Sequence, residues 1–145
     1  MVREGDAAPD FSLEAHDGTV VRLHDLLGRN VVLYFYIKDN TPGCTRETCG
    51  FRDMYDRLKE HGFEVFGISP DGVESHRKFA EQHDVPFLLL SDRGKEVAKA
   101  YCALGMMGIM NKRITFVIGK DGRVNKMVES MGAGKHLDTV SEIIV

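Results

Sequence analysis

Two cysteines, Cys44 and Cys49, stand five residues apart, and Thr41-Pro42-Gly43 leads into the first of them. A thiol just past such a turn, at the start of a helix, sits among backbone N–H groups without partners and at the positive end of the helix dipole. Both favour a negative sulfur, and the thiolate is the nucleophilic form of cysteine. Thr41 can aim its hydroxyl at that sulfur or at an oxygen bound beside it, while Pro42-Gly43 shapes a tight turn in which N–H groups converge. The same residues also read as a plain connecting loop, with a small buried cysteine and a helix cap. Spacing alone leaves both readings open.

If Cys44 and Cys49 pair, helix geometry imposes a condition. Five residues of continuous helix rise about 7.5 Å and put the two Cα atoms about 8.7 Å apart. A disulfide tolerates no more than about 7 Å. Pairing therefore demands that the helix unwind locally. The third cysteine, Cys102, lies in the helical pattern Glu96-Val-Ala-Lys-Ala-Tyr-Cys-Ala-Leu104 and is expected to be a small core residue. Glu47, in the first turn after Cys44, is expected to complement the helix dipole rather than to hydrogen-bond within a pocket.

The elements that must carry these residues alternate. Asp10 to Ala15, the turn His16-Asp-Gly-Thr19 and Val20 to Leu23 predict an N-terminal hairpin at a sheet edge. Val31 to Ile37 is a continuous apolar run, the mark of a central strand covered on both faces, and it points at Cys44. A helix from Cys44 stops at Gly62. There follow a strand Phe63–Ser69, a helix Ser75–His83, a strand Phe87–Leu90, a helix Lys95–Leu104, a hairpin of Ile114–Ile118 with Val124–Glu129, and a short helix from about Leu137. The fold class predicted is α/β, a mixed central sheet flanked by helices. Gly105-Met-Met-Gly-Ile-Met110 is an apolar loop whose methionines fill gaps or meet an apolar substrate or partner.

With 145 residues, 43% hydrophobic and 28% charged, the chain is expected to form one soluble domain spanning residues 1–145. Its 19 basic and 22 acidic residues are scattered without long runs, which argues against nucleic acid. No apolar stretch has the length of a signal peptide or membrane span, so no membrane partner and a cytoplasmic location are expected. The six histidines do not pair with cysteine at zinc-ligand spacing, and C-x4-C is no zinc knuckle, so no metal is expected. Gly132-Ala-Gly-Lys-His136 lacks the first glycine and the Ser/Thr of a phosphate loop, which leaves Lys135 a solvated charge.

The segment Tyr34-Phe-Tyr-Ile-Lys-Asp-Asn-Thr-Pro-Gly-Cys-Thr-Arg-Glu-Thr-Cys-Gly-Phe-Arg-Asp53 resembles the active-site segment of the peroxiredoxin Q group, also called bacterioferritin comigratory proteins. The likeness extends to Gly5–Phe11, Gly67–Ser69 and Arg113–Ile118, nearly the whole chain. It implies a thioredoxin-like fold and reduction of hydroperoxides, with Cys44 as the peroxidatic cysteine, Cys49 as the resolving one and Thr41 as the hydroxyl neighbour. It also implies a role for Arg113 beside the sulfur, where the residue alone would read as an ordinary charge at a strand start. Thioredoxin or a similar dithiol is the implied reductant, no bound cofactor is needed, and a monomer or weak dimer is the family expectation. One position departs: Ile37 stands where the group's motif has proline, which restores a backbone N–H and implies a looser peroxide pocket. Two other readings compete. A thioredoxin-type disulfide exchanger would want C-x-x-C, and a redox sensor or holdase-like module would use Cys44 to register oxidation slowly.

Overall fold

The computed structural model describes residues 2–105, 108 and 110–144. Its strands are β1 (Ser12–Ala15), β2 (Val20–Arg22), β3 (Asn30–Phe35), β4 (Phe63–Ser69), β5 (Leu88–Ser91), β6 (Ile114–Ile118) and β7 (Val124–Glu129). The helices are α1 (Pro42–Glu60), α2 (Val73–Gln82), α3 (Glu96–Ala100) and α4 (Ala133–Ile143). The strands form one sheet in the order β2-β1-β5-β4-β3-β6-β7. β3 pairs in parallel with β4, and β4 with β5, while the hairpins β1–β2 and β6–β7 join antiparallel at the two ends. The N-terminal hairpin thus occupies an edge, and the sheet is mixed, as expected.

β3 explains the two-sided core. Because strand side chains alternate, Val31, Leu33 and Phe35 enter one cluster with Phe66, Phe116 and Tyr101, whereas Val32 and Tyr34 enter the other with Phe51, Leu58, Phe79 and Val140. Burying each large apolar side chain contributes roughly 1.5–3 kcal/mol. The second cluster seats α1 and α4 against the sheet. Tyr34 reaches across it, its hydroxyl 2.9 Å from that of Thr48 on α1. Gly67 makes room for the end of the Tyr34 side chain, since a β-carbon there would come within 2.7 Å of it.

Helix boundaries follow local chemistry. α1 begins at Pro42, whose missing N–H costs nothing in a first turn, after an extended Thr41, and it is followed by Gly62 at φ 79°. α3 is shorter than the predicted Lys95–Leu104: it ends at Ala100, and Cys102 adopts a left-handed φ of 57° that breaks the helix. Cys102 is therefore exposed, which corrects the expectation of a core cysteine. Of the apolar loop, Met106, Met107 and Ile109 lie outside the described residues, and Met110 is exposed.

Candidate active site

The sulfur sits at the top of α1. Cys44 is the third helical residue, fully buried, and Thr45 N–H donates to the Thr41 carbonyl at 2.8 Å. Thr41 occupies the N-cap position, but its hydroxyl donates to the Lys38 carbonyl at 2.8 Å rather than capping the helix. That leaves the oxygen lone pairs of Thr41 as acceptors at the helix entry.

Arg113 comes from just before β6. Its Nη2 donates to Cys44 Sγ at 3.4 Å, and its Nη1 donates to Glu47 Oε1 at 3.2 Å. The guanidinium is almost wholly buried, so its field at the sulfur is little screened by water. The approach depends on Gly43, where a β-carbon would stand 2.9 Å from Nη2. Glu47 is buried in this pocket and bonded to Arg113, which corrects the expectation that it merely faces the helix dipole. Burial pushes its carboxyl up to about 7, against the opposing pull of Arg113.

Behind Glu47 stands His136 of α4, also fully buried. Its Nε2 donates to the Ser130 carbonyl at 2.8 Å, and its Nδ1 is 2.8 Å from the Thr115 hydroxyl and 3.5 Å from Glu47 Oε2. Burial lowers the ring's affinity for a second proton, with the Ser130 carbonyl opposing.

A second buried network holds the loop between β3 and α1. Asp39 accepts from the Tyr36 hydroxyl at 2.6 Å and from the Ser75 hydroxyl at 2.8 Å, and its Oδ2 lies 2.8 Å from Nδ1 of His76. His76 Nε2 donates to the Leu90 carbonyl at 3.0 Å. Asp71 Oδ2 accepts from Asp39 N–H and from the Ser69 hydroxyl. Burial raises the Asp39 carboxyl, but the bonds from His76, Tyr36 and Ser75 outweigh it and hold the group below the ordinary carboxylate range. The ligand-capable atoms of Asp39, Asp71 and His76 cluster within 4.8 Å, yet each faces a protein hydrogen-bond partner, so the cluster reads as an anchor. It fixes the loop that ends in Thr41.

Cys49 lies farther along α1, half-buried, and like Cys44 it is a free thiol. The helix runs through both without interruption. Beside Arg113, a cavity of about 620 Å³ is lined by Ile37, Met110, Met131 and the stems of neighbouring residues. Four predicted residues thus fall as follows: Cys44 and Arg113 touch, Thr41 stands at the helix entry, and Cys49 stays along the same helix. His76, Asp39 and His136 were missed. The available signal was a histidine on an apolar stripe: His76 with Phe79 and Ala80, His136 with Ala133 and Val140, at helical spacing and buried.

A buried sulfur held against a guanidinium, on a sheet of this order, places the chain among thiol-redox proteins of thioredoxin-like fold. Residues 4–127 match the AhpC/TSA family, and the chain belongs to it, in the peroxiredoxin Q and bacterioferritin comigratory protein group. A chloroplastic peroxiredoxin Q of Oryza sativa subsp. japonica is 45% identical over 124 residues, 85% of this chain, and the aligned part spans 57% of that relative's length. Peroxidoxin BcpB of Mycobacterium tuberculosis superimposes with a TM-score of 0.86 at 39% identity, covering 99% of each chain. A bacterioferritin comigratory protein of Xanthomonas campestris, described for its alkyl peroxide reduction, superimposes at 0.88 with 28% identity over 99% of this chain and 96% of that one.

Proposed function

We propose that this chain, acting as one domain, is a thiol-dependent peroxidase that reduces hydrogen peroxide and organic hydroperoxides in antioxidant defence. The observation that carries the reading is the contact of Arg113 Nη2 with Cys44 Sγ at 3.4 Å inside a buried pocket. The guanidinium and the first-turn N–H groups favour a negative sulfur, and the same donors favour the charge that builds on the breaking O–O bond. Thr41 accepts from or positions the peroxide hydroxyl. Attack by Cys44 leaves a sulfenic acid, and Cys49 condenses with it to a disulfide.

Because both cysteines belong to one unbroken helix, the disulfide forms only after the first turns of α1 open. Thioredoxin or a similar dithiol then restores the thiols, with no bound cofactor. The apolar walls at Ile37, Met110 and Met131 support acceptance of an organic hydroperoxide tail, and Ile37 stands in that wall where the group's motif has proline. Among the described residues no helix is long and apolar enough to cross a membrane. We place the protein in the cytoplasm as a monomer or weak dimer.

The test is peroxide consumption with thioredoxin, its reductase and NADPH. Turnover is expected to vanish in Cys44→Ser and to stall after one event in Cys49→Ser. A wild-type protein that oxidises slowly and never turns over would instead point to a sensor.

A further inference from the structure

Cys44 Sγ, Arg113, Glu47 and His136 form a line of buried groups, joined at 3.4 Å, 3.2 Å and 3.5 Å. Glu47 Oε1 is bonded, but Oε2 has no hydrogen-bond partner among the described residues although it is fully buried. A carboxylate oxygen left so is costly, and a proton placed between Oε2 and His136 Nδ1 removes the cost. His136 can take part because Nε2 already donates to Ser130, while Nδ1 faces two oxygens, the Thr115 hydroxyl at 2.8 Å and Glu47 Oε2 at 3.5 Å, and the hydroxyl can donate to a bare Nδ1 or accept from a protonated one.

We propose that Glu47 and His136 together store the proton that the leaving oxygen of the peroxide receives, and that they release it when the charge on Cys44 is consumed. The inference rests on the peroxidase reading of Cys44. With a thiolate, a guanidinium and an ionised Glu47, the buried line carries one negative charge too many, and one proton on the Glu47–His136 pair neutralises it. Once the sulfur is a neutral sulfenic acid, the guanidinium and ionised Glu47 balance without that proton. Buried charge is costly enough for the balance to govern occupancy.

The step closes. The sulfur lone pair attacks the terminal peroxide oxygen, the S–O bond forms and the O–O bond breaks. Sulfur is oxidised by two electrons, the peroxide is reduced, and the departing hydroxide or alkoxide takes one proton to become water or alcohol.

Other charges come from each element around the pair, and from α1 the Arg46 guanidinium reaches within 4.0 Å of where a β-carbon on Gly134 of α4 would stand. Tyr34 of β3 is buried near Glu47 and is held protonated by its burial, Arg113 stands ahead of β6, and Lys135 lies beside His136 on α4. On β7, Lys126 and Glu129 are exposed, as are Asp138 and Glu142 on α4. The rise of Glu47 to about 7 puts the stored proton within the physiological range.

Proton uptake during one oxidation tests the proposal. In a Cys49→Ser background, which halts at the sulfenic acid, a single equivalent of hydrogen peroxide is added in weak buffer with a pH indicator at about pH 6.5. The thiolate ultraviolet absorbance, followed in the same samples, gives the share of the count that belongs to Cys44 itself. With Glu47 present, close to no proton is expected to come from solution per thiolate oxidised, and Glu47→Gln is expected to draw about one. His136→Gln, which keeps a donor toward Ser130, is expected to move the pH at which the count changes. Equal counts with and without Glu47, or an unmoved pH in His136→Gln, overturn the store while leaving the peroxidase reading intact. Failure of Cys44 to gain an oxygen by mass overturns both.

Discussion

A β-carbon on Gly43 would lie 2.9 Å from Nη2 of Arg113, so the helix entry and the guanidinium share a space that only a hydrogen atom fits. Gly43→Ala is expected to push the guanidinium off Cys44 while the remainder of the fold stands. Misplacement of this kind costs on the order of 10²-fold in rate. Stopped-flow oxidation of the reduced variant by hydrogen peroxide measures it, and a rate equal to wild type would remove Arg113 from the reaction.

The proposed pairing of Cys44 with Cys49 predicts a change in local order. Amides of residues 44–50 are expected to be protected from hydrogen exchange in the dithiol protein and to lose protection in the disulfide form. The packing of Leu137 of α4 into the space over Gly50 should loosen with them. Equal protection in the two redox states would exclude an intramolecular disulfide between these residues.

Glu47 gives the folded protein a pH dependence whose sign is set by its raised value. A carboxyl that ionises at about 7 when folded and at its ordinary 4.5 when unfolded contributes fully below the unfolded value and loses that contribution as pH rises through the folded one. The loss is roughly 3 kcal/mol over that window. Denaturant titrations of wild type and Glu47→Gln should therefore diverge with pH, the wild type weakening relative to the variant between pH of about 5 and 8. Parallel curves would mean that Glu47 ionises freely.

Removing one partner of the Asp39–His76 pair should be severe. Asp39→Ala leaves His76, Ser75 and Tyr36 facing a void, and a loss of about 3–5 kcal/mol is expected. The contribution of Asp39 is present above its ordinary carboxylate range and lost as pH falls through its lowered folded value. A variant with wild-type denaturation midpoint and wild-type peroxide rate would show that the loop ahead of Thr41 needs no anchor.

Much of this was legible one element at a time. The apolar run before Thr41-Pro42-Gly43-Cys44 announces a buried strand delivering a cysteine to a helix start, and the structure has that arrangement. Arg113 was invisible to local reading because it meets Cys44 across 69 residues of chain, and only the likeness to peroxiredoxin Q drew attention to it. Glu47 was misjudged for the related reason that a first-turn acid looks alike whether it faces water or a guanidinium. Cys102 was misjudged because the helical pattern continued past the point where the backbone turned left-handed. The buried histidines His76 and His136 hid on apolar stripes, where tertiary contacts give them partners that spacing cannot name.

The unbroken course of α1 through both thiols also sets an interval. In the proposed cycle, until its first turns open, a newly oxidised Cys44 would be out of reach of Cys49, and a second peroxide would compete for the same sulfur. Helix lifetime would then fix the ratio of two fates, one leading back to the thiol and the other to a sulfinic acid that a dithiol does not reverse. A change that prolonged the helix would turn such a scavenger into a recorder of peroxide dose. One that shortened it would make the protein hard to silence.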